Sequence, residues 1–232
     1  VLKAAKQCGV QKVINASSAC IYGQVEGTTS EDHLPFPNWA YGVSKLAAER
    51  YAKIYSDYED LPVVNFRYGI VYGEREWYRR VLTIFIKRVL QNQSPVVFGS
   101  GDQVRDFVYV SDLVHLHQLC LENAVANGQS YNVGTGIGTT IEKLAHLVVE
   151  AAGKDLEVLF EQVPEGTFSA LVPDKRRNSA ELKVMLLDCS KAYRDLGWQA
   201  KMPLLEGIRR EIEWAAKNLH RWEKISYTEV SA

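Results

Sequence analysis

The 232-residue sequence is 47% hydrophobic and 24% charged, enough apolar material for one sizeable domain or two small ones. A net charge of -1 gives no global basis for nucleic acid or an anionic membrane as partner. The four cysteines, Cys8, Cys20, Cys120 and Cys189, form no CxxC or Cys/His ligand spacing, and neither a run of 18 apolar residues nor a signal peptide is present, which reads as a cytoplasmic protein with reduced thiols and no metal.

In chain order, residues 1–9 read as the last turns of a helix stopped by Gly9. A chain that opens in mid-helix on Val1 reads as a piece of a longer protein. A strand over 10–16 leads into the pair Ser17 and Ser18, and 23–40 has the Gly, Thr, Ser, Asp and Pro content of a long loop. The next segment, from Tyr41 to about Asp60, is helical with an apolar arc wider than one core-facing stripe, carrying Val43, Leu46, Ala47 and Ile54 on one side and Ala48, Tyr51, Ala52 and Tyr55 on another. One face is expected to pack on a sheet and another on a second helix, from a partner subunit. VVNFRY, 63–68, reads as a buried strand, which sets the rhythm of a parallel α/β sheet.

After Gly73 a basic and aromatic patch leads into an amphipathic helix through about Gln93. Two short strands follow within 95–110, joined at Gly99 to Gly101, then a helix from Ser111 to about Asn123 and a strand over 129–133. A Thr-capped helix from Thr140 to Ala152 and a strand over 156–160 come next. Residues 161–180 are polar and irregular, 185–188 precede a short helix begun by Ser190, and an amphipathic helix runs from Pro203 to about Trp222. The last ten residues read as a frayed tail.

Tyr41 and Lys45 are four apart on a helix and share a face. A neighbouring ammonium stabilises a phenolate, so this pair suits proton transfer near neutral pH, with a serine hydroxyl steadying the reacting oxygen. Alcohol oxidation or carbonyl reduction by such a set needs a hydride carrier, because no side chain performs that step. Gly134-Thr135-Gly136-Ile137-Gly138-Thr139 has the outline of a dinucleotide-binding turn, but caps and turns account for the same residue types, and it is taken as a strand-to-helix turn. His115 and His117, two apart on a helix, point in different directions and are poor joint ligands. The run Lys175, Arg176, Arg177 is a solvated loop unless it borders a cleft. Arg105, after the Gly99-x-Gly101 turn, is either a salt-bridged hairpin residue or a diphosphate ligand.

The segments Ala16-Ser17-Ser18-Ala19-Cys20-Ile21-Tyr22-Gly23, Tyr41-Gly42-Val43-Ser44-Lys45, Arg67-Tyr68-Gly69-Ile70-Val71-Tyr72-Gly73 and Gly99 to Phe107 together resemble the NAD-dependent epimerase/dehydratase family, the extended short-chain dehydrogenases acting on nucleotide sugars. Tyr131 to Gly136, Asp188 to Ala192 and Leu196-Gly197-Trp198 continue the resemblance over nearly the whole chain, closest to the 4-epimerases. It implies the C-terminal part of a doubly wound parallel-sheet Rossmann domain, 1–73 and 104–135, plus a smaller α+β substrate-binding domain, 74–103 and 136–232. It implies Ser18, Tyr41 and Lys45 as catalytic residues, Tyr41, Lys45 and Tyr68 as contacts to NAD rather than NADP, and a grip on the substrate's diphosphate by Arg105 with Lys183 or a cation from 175–177. The nucleotide sugar is the expected partner, together with a second copy of the chain bound through the 41–60 helix.

Two departures qualify the resemblance. Ile70 stands where the family usually has Asn near the diphosphate, and the family's Gly-rich cofactor loop belongs to a first strand and helix that this sequence does not contain, so the chain alone is expected to be inactive. Where the family's sugar 4,6-dehydratases place Asp-Glu after the serine, this chain has Ala19 and Cys20. Neither is a strong acid or base for elimination, which leaves epimerisation or ketone reduction, or a non-catalytic dimeric scaffold.

Overall fold

A computed structural model describes residues 1–179 and 181–223. In chain order the elements are α1 (Leu2–Gln7), β1 (Val13–Ser18), α2 (Ala40–Tyr58), β2 (Val63–Tyr68), β3 (Ile70–Tyr72), α3 (Val81–Leu90), β4 (Val96–Phe98), β5 (Val104–Tyr109) and α4 (Val110–Glu122). They continue with β6 (Ser130–Val133), β7 (Gly138–Thr140), α5 (Ile141–Ala151), β8 (Leu159–Glu161), β9 (Val184–Met185), α6 (Ser190–Leu196) and α7 (Leu204–Glu223). Contacts divide the chain into one unit of Val1–Val71, Gln103–Thr139 and Ala180–Met202 and a second of Tyr72–Asp102, Thr140–Ser179 and Pro203–Ala232.

The first unit is built on a parallel sheet of order β1-β2-β6, with Val13 opposite Val63 and Ser18 opposite Tyr68. Side chains alternate across a strand, and the two faces differ in chemistry. Val64, Phe66, Tyr131 and Val133 bury one face against Leu113 and Leu116 of α4 and Ala192 and Leu196 of α6. The other face meets α2 and carries a polar file in which Asn15 donates to Asn65 at 2.8 Å and Asn65 to Ser130 at 3.1 Å. A second small sheet of order β3-β5-β7 takes β9 beside β5, with Arg105 opposite Met185.

In the second unit α3, α5 and α7 pack together, and β4 pairs in parallel with β8, Val96 opposite Leu159. Thr140 caps α5, its hydroxyl accepting from Lys143 N at 3.1 Å. α7 is interrupted at Asn218, whose side chain donates to Trp214 O at 2.8 Å.

The structure departs from the sequence reading in three places. Residues 181–202 belong with the first unit although the expected boundary assigned all of 136–232 to the second, because β9 pairs with β5 and α6 covers the sheet at β6. The strands within 95–110 are not a hairpin: β4 and β5 pair with different sheets. The strand expected at 156–160 forms at Leu159–Glu161, fixed by Leu159 N donating to Pro95 O at 3.0 Å.

Candidate functional site

β1 ends at Ser18, whose hydroxyl accepts from Cys20 N at 3.2 Å and starts a tight turn over Ala19–Tyr22. Ser18 is 7% exposed, and the neighbouring Ser17 hydroxyl is sealed with no hydrogen-bond partner. The following loop returns the chain to Trp39, which starts α2 without a side-chain cap. Tyr41 is 43% exposed and stacks obliquely on Trp39, ring centroids 5.4 Å apart.

Gly42 explains how α2 comes so close to the turn after Ser18. A Cβ at this position would stand 2.6 Å from Cys20 O and 2.8 Å from Pro37 Cβ, so only the absence of a side chain lets the first helical turn lie on that carbonyl. One turn on, Lys45 Nζ donates to Ala16 O of β1 at 2.7 Å and lies 5.5 Å from the centre of the Tyr41 ring. Ser18, Tyr41 and Lys45 are therefore assembled from β1 and the first two turns of α2.

A further turn along the same face, Glu49 is buried against Arg67 of β2. Arg67 Nε donates to both carboxylate oxygens at 3.1 and 3.3 Å and Nη2 to one at 2.8 Å. Its Nη1 donates to the Tyr22 hydroxyl at 2.8 Å and to Glu31 O at 3.2 Å, and Tyr22 passes its own proton toward Asn132 Oδ1 at 2.7 Å. Burial pushes the Tyr22 phenol up to about 12 despite the opposing Arg67 charge. Burial pulls Arg67 down, but its bonds to Glu49 and the Tyr22 contacts more than reverse that, so it stays charged.

Tyr68, on the opposite face, is hydrogen-bonded to His117 Nε2 at 3.1 Å and stacked on the same ring. His117 Nδ1 lies 2.8 Å from Leu113 O, which must accept from it; in the neutral ring Nε2 then accepts from the phenol. Burial raises the Tyr68 phenol well above its ordinary value. Arg105 is held inside the unit, Nη1 donating to Val104 O at 2.8 Å and Nη2 lying 4.0 Å from Glu181, with burial pulling its pKa below the usual value. Lys183 is exposed immediately before β9, its carbonyl accepting from Val104 N at 2.9 Å. Ile70 packs with Ala19 to Tyr22, Met185 and Leu187.

The expected cationic run is occupied within its own unit. Lys175 Nζ donates to Arg79 O, Arg176 Nε to Gly166 O and Arg177 Nη1 to Val163 O, at 2.9, 2.6 and 2.8 Å. These bonds brace the loop 163–177.

The Gly-rich turn after β6 encloses a carboxylate of the chain itself. Asp106, fully buried, accepts from Thr135 N and Oγ1 at 2.7 Å each, from Gly136 N at 3.0 Å and from Leu187 N at 3.4 Å. A Cβ on Gly134 would lie 2.4 Å from Asp106 Oδ2. These donors form the kind of backbone cradle that binds phosphates elsewhere, but here it is filled by Asp106, so this turn is structural.

Sequence reasoning missed Gly42, Glu49, Arg67 and Asp106. An arginine inside the apolar run VVNFRY, and a glutamate one turn beyond Lys45, were the signals available.

Tyr41 and Lys45 fit the nicotinamide-ribose end of a dinucleotide: Lys45 keeps ammonium donors beyond the one given to Ala16, and β1 is open on the side away from β2. Among the described residues no cluster of three or more His, Cys, Asp or Glu is arranged to hold a metal, and no helix is long and apolar enough to cross a membrane.

The NAD dependent epimerase/dehydratase family model matches residues 1–134. A UDP-glucose 4-epimerase of Mycolicibacterium smegmatis is 32% identical over 91% of this chain and 64% of its own length. The dTDP-D-glucose 4,6-dehydratase of Mus musculus is 30% identical over 96% and 61%. The crystal structure of UDP-glucuronic acid 4-epimerase from Bacillus cereus in complex with UDP-glucuronic acid and NAD has 29% identity and a TM-score of 0.81, covering 94% of this chain and 65% of that one. This chain belongs to the NAD-dependent epimerase/dehydratase family, spanning somewhat less than two thirds of the length of these relatives. Its cofactor is NAD, and its fold is the mixed α/β Rossmann type of those enzymes.

Proposed function

We propose that the protein to which this chain belongs epimerises a UDP-sugar at C4 through a transient 4-keto sugar. The observation that carries the reading is the close seat of Gly42 on Cys20 O, which sets the Tyr41 and Lys45 turns beside Ser18. NAD, when bound, accepts hydride from the sugar C4 and returns it to the opposite face. Tyr41 takes the proton of the 4-hydroxyl and later gives it back, while Ser18 donates a hydrogen bond to that oxygen. Lys45 holds the cofactor's ribose, Tyr68 lines the nicotinamide side, and Arg105 with Lys183 meets the substrate's diphosphate.

Dehydration, the activity named for the mouse relative, is disfavoured by the residues after the serine. Ala19 and Cys20 are buried apolar packing in this fold, and neither carries a carboxyl to protonate a leaving hydroxyl. Ketone reduction on a nucleotide sugar is the nearest alternative. The exposed Val43, Tyr51, Ile54 and Tyr58 on α2 support a second element of the reading, a homodimer through this helix. They also favour the one non-catalytic alternative, a dimeric scaffold.

The test is conversion of UDP-glucose to UDP-galactose with catalytic NAD, by the 232-residue chain and by the longer protein containing it. Epimerisation lost in Tyr41→Phe with UDP binding retained supports the reading. Undiminished turnover in that variant overturns the mechanism, and stoichiometric NADH consumption with product selects the reductase.

A further inference from the structure

Tyr41, Lys45 and Glu49 follow one another at four-residue steps, so they form a single file along α2. The first two positions are the chemical ones in the proposed function, on which this inference rests; the third is the only one of the three locked to the sheet by a charged side chain. Glu49 and Arg67 side chains are 6% and 9% exposed, and the guanidinium engages the carboxylate through both Nε and Nη2. A forked contact of this kind fixes direction as well as distance. By contrast, the start of α2 has no side-chain cap, and the only side-chain hydrogen bond tying its second turn to the sheet is the single one from Lys45 to Ala16 O.

We infer that Glu49 and Arg67 are positioning residues, which fix the height and rotation of α2 against β1 and so hold Tyr41 and Lys45 in register with Ser18. The pair is itself anchored from three sides. Tyr22, in the turn that Ser18 starts, bonds to Arg67, and Asn132 of β6 bonds to Tyr22. Glu31 completes the ring: its carbonyl accepts from Arg67 and its carboxylate from Asn132 N at 2.8 Å. The same Arg67 thus touches the helix bearing Tyr41, the turn following Ser18 and the loop between them, and no other charged side chain bonds all three. Lys45 reports the register directly, because its ammonium reaches Ala16 O only at one height of the helix.

The experiment uses the 232-residue chain with 15N-labelled lysine and follows the Lys45 ammonium resonance. Glu49→Gln keeps the shape of the side chain and removes its charge. The expected result is a Lys45 signal shifted toward those of exposed lysines, with Leu196→Ala, a core truncation on the opposite sheet face, leaving it in place. Tyr22→Phe removes one of Arg67's partners and moves the signal in the same direction by less; it decides the question if Glu49→Gln does not fold. An unmoved Lys45 signal in the folded variants overturns the inference. In the longer enzyme, Glu49→Gln is expected to lower kcat by roughly 10- to 100-fold at unchanged KM, and a raised KM at unchanged kcat overturns it equally. Absent wild-type turnover would refute the epimerase reading while the ammonium resonance still decides the positioning role.

Discussion

The two units each bury a glutamate on a helix, and they neutralise it in opposite ways. In the first, Glu49 of α2 meets Arg67, and every polar group of the pair has a named partner. In the second, Glu211 of α7 is fully buried and faces Glu76, a second carboxyl only 7% exposed in its side chain. Glu76 Oε2 and both Glu211 oxygens have no donor, while Arg80 reaches Glu76 at a long 3.5 Å and Glu74 adds a further negative charge near Glu211. Two facing carboxylates can only be satisfied by a shared proton, so burial and mutual repulsion raise both above the ordinary range. The segment that carries Glu76 also holds Arg75 and Arg79 at φ of 72° and 94°, a backbone that costs on the order of 1–3 kcal/mol per residue. The comparison separates a unit whose buried charge specifies geometry from one whose buried charge is a burden relieved by protonation.

Breaking the first arrangement should have the largest effect. Arg67→Met leaves Glu49 sealed without its cation, and a stability loss of about 3–5 kcal/mol is expected from urea unfolding. Adding Glu49→Leu to Arg67→Met should recover most of it, because the unpaired charge is gone. A loss below about 1 kcal/mol in the single variant would mean that water reaches Glu49.

Glu211→Gln should act with the opposite sign. The folded pair holds protons that the unfolded chain has released. Its contribution is therefore complete below 4.5 and is lost as pH rises through about 7 for Glu76 and about 10 for Glu211. Wild-type stability is expected to fall across that window. Glutamine keeps a donor for Glu76 without ionising, so the variant should be more stable at pH 8 by roughly 1–3 kcal/mol and should show a flatter pH dependence. Equal slopes in thermal unfolding from pH 5 to 8 would refute the shared proton.

Asp106 shows a third solution, a buried carboxylate held by backbone and hydroxyl donors alone. Burial still raises its pKa, with the Thr135 and Gly136 bonds opposing. Asp106→Asn substitutes a donor where acceptors are required and is expected to cost about 1–3 kcal/mol, measurable in the same urea series.

These carboxyls also mark what the sequence could and could not disclose. The α2 file of Tyr41 and Lys45, the strand 63–68 and the cap at Thr140 are local, since period, capping and residue type are written within a few positions. The partners of Glu49 and Asp106 lie 18 and 29 residues away, so the pattern held the charged residue but not its counterpart. The Gly-rich run was correctly taken as a turn, yet that it closes on Asp106 follows only from the fold. Short strands such as β3 and β7 have too few residues to show a period. Glu211 was visible in principle: it falls between Ile208 and Ala215 on the buried stripe of α7, where a charged residue is out of pattern.

The smallest effect sets the scale for the others. Thr140 caps α5 with one hydroxyl, accepting from Lys143 N at 3.1 Å in an exposed setting. Thr140→Ala removes one hydrogen bond whose donor can turn to water, and about 1 kcal/mol is expected. The Asp106 change also disturbs few bonds, but in a site closed to solvent, where an unmatched group keeps its full desolvation cost. A Thr140→Ala loss as large as that of Arg67→Met, measured by the same unfolding, would show that hydrogen-bond loss rather than burial of charge governs stability here, and the contrast between the two units would lose its physical basis.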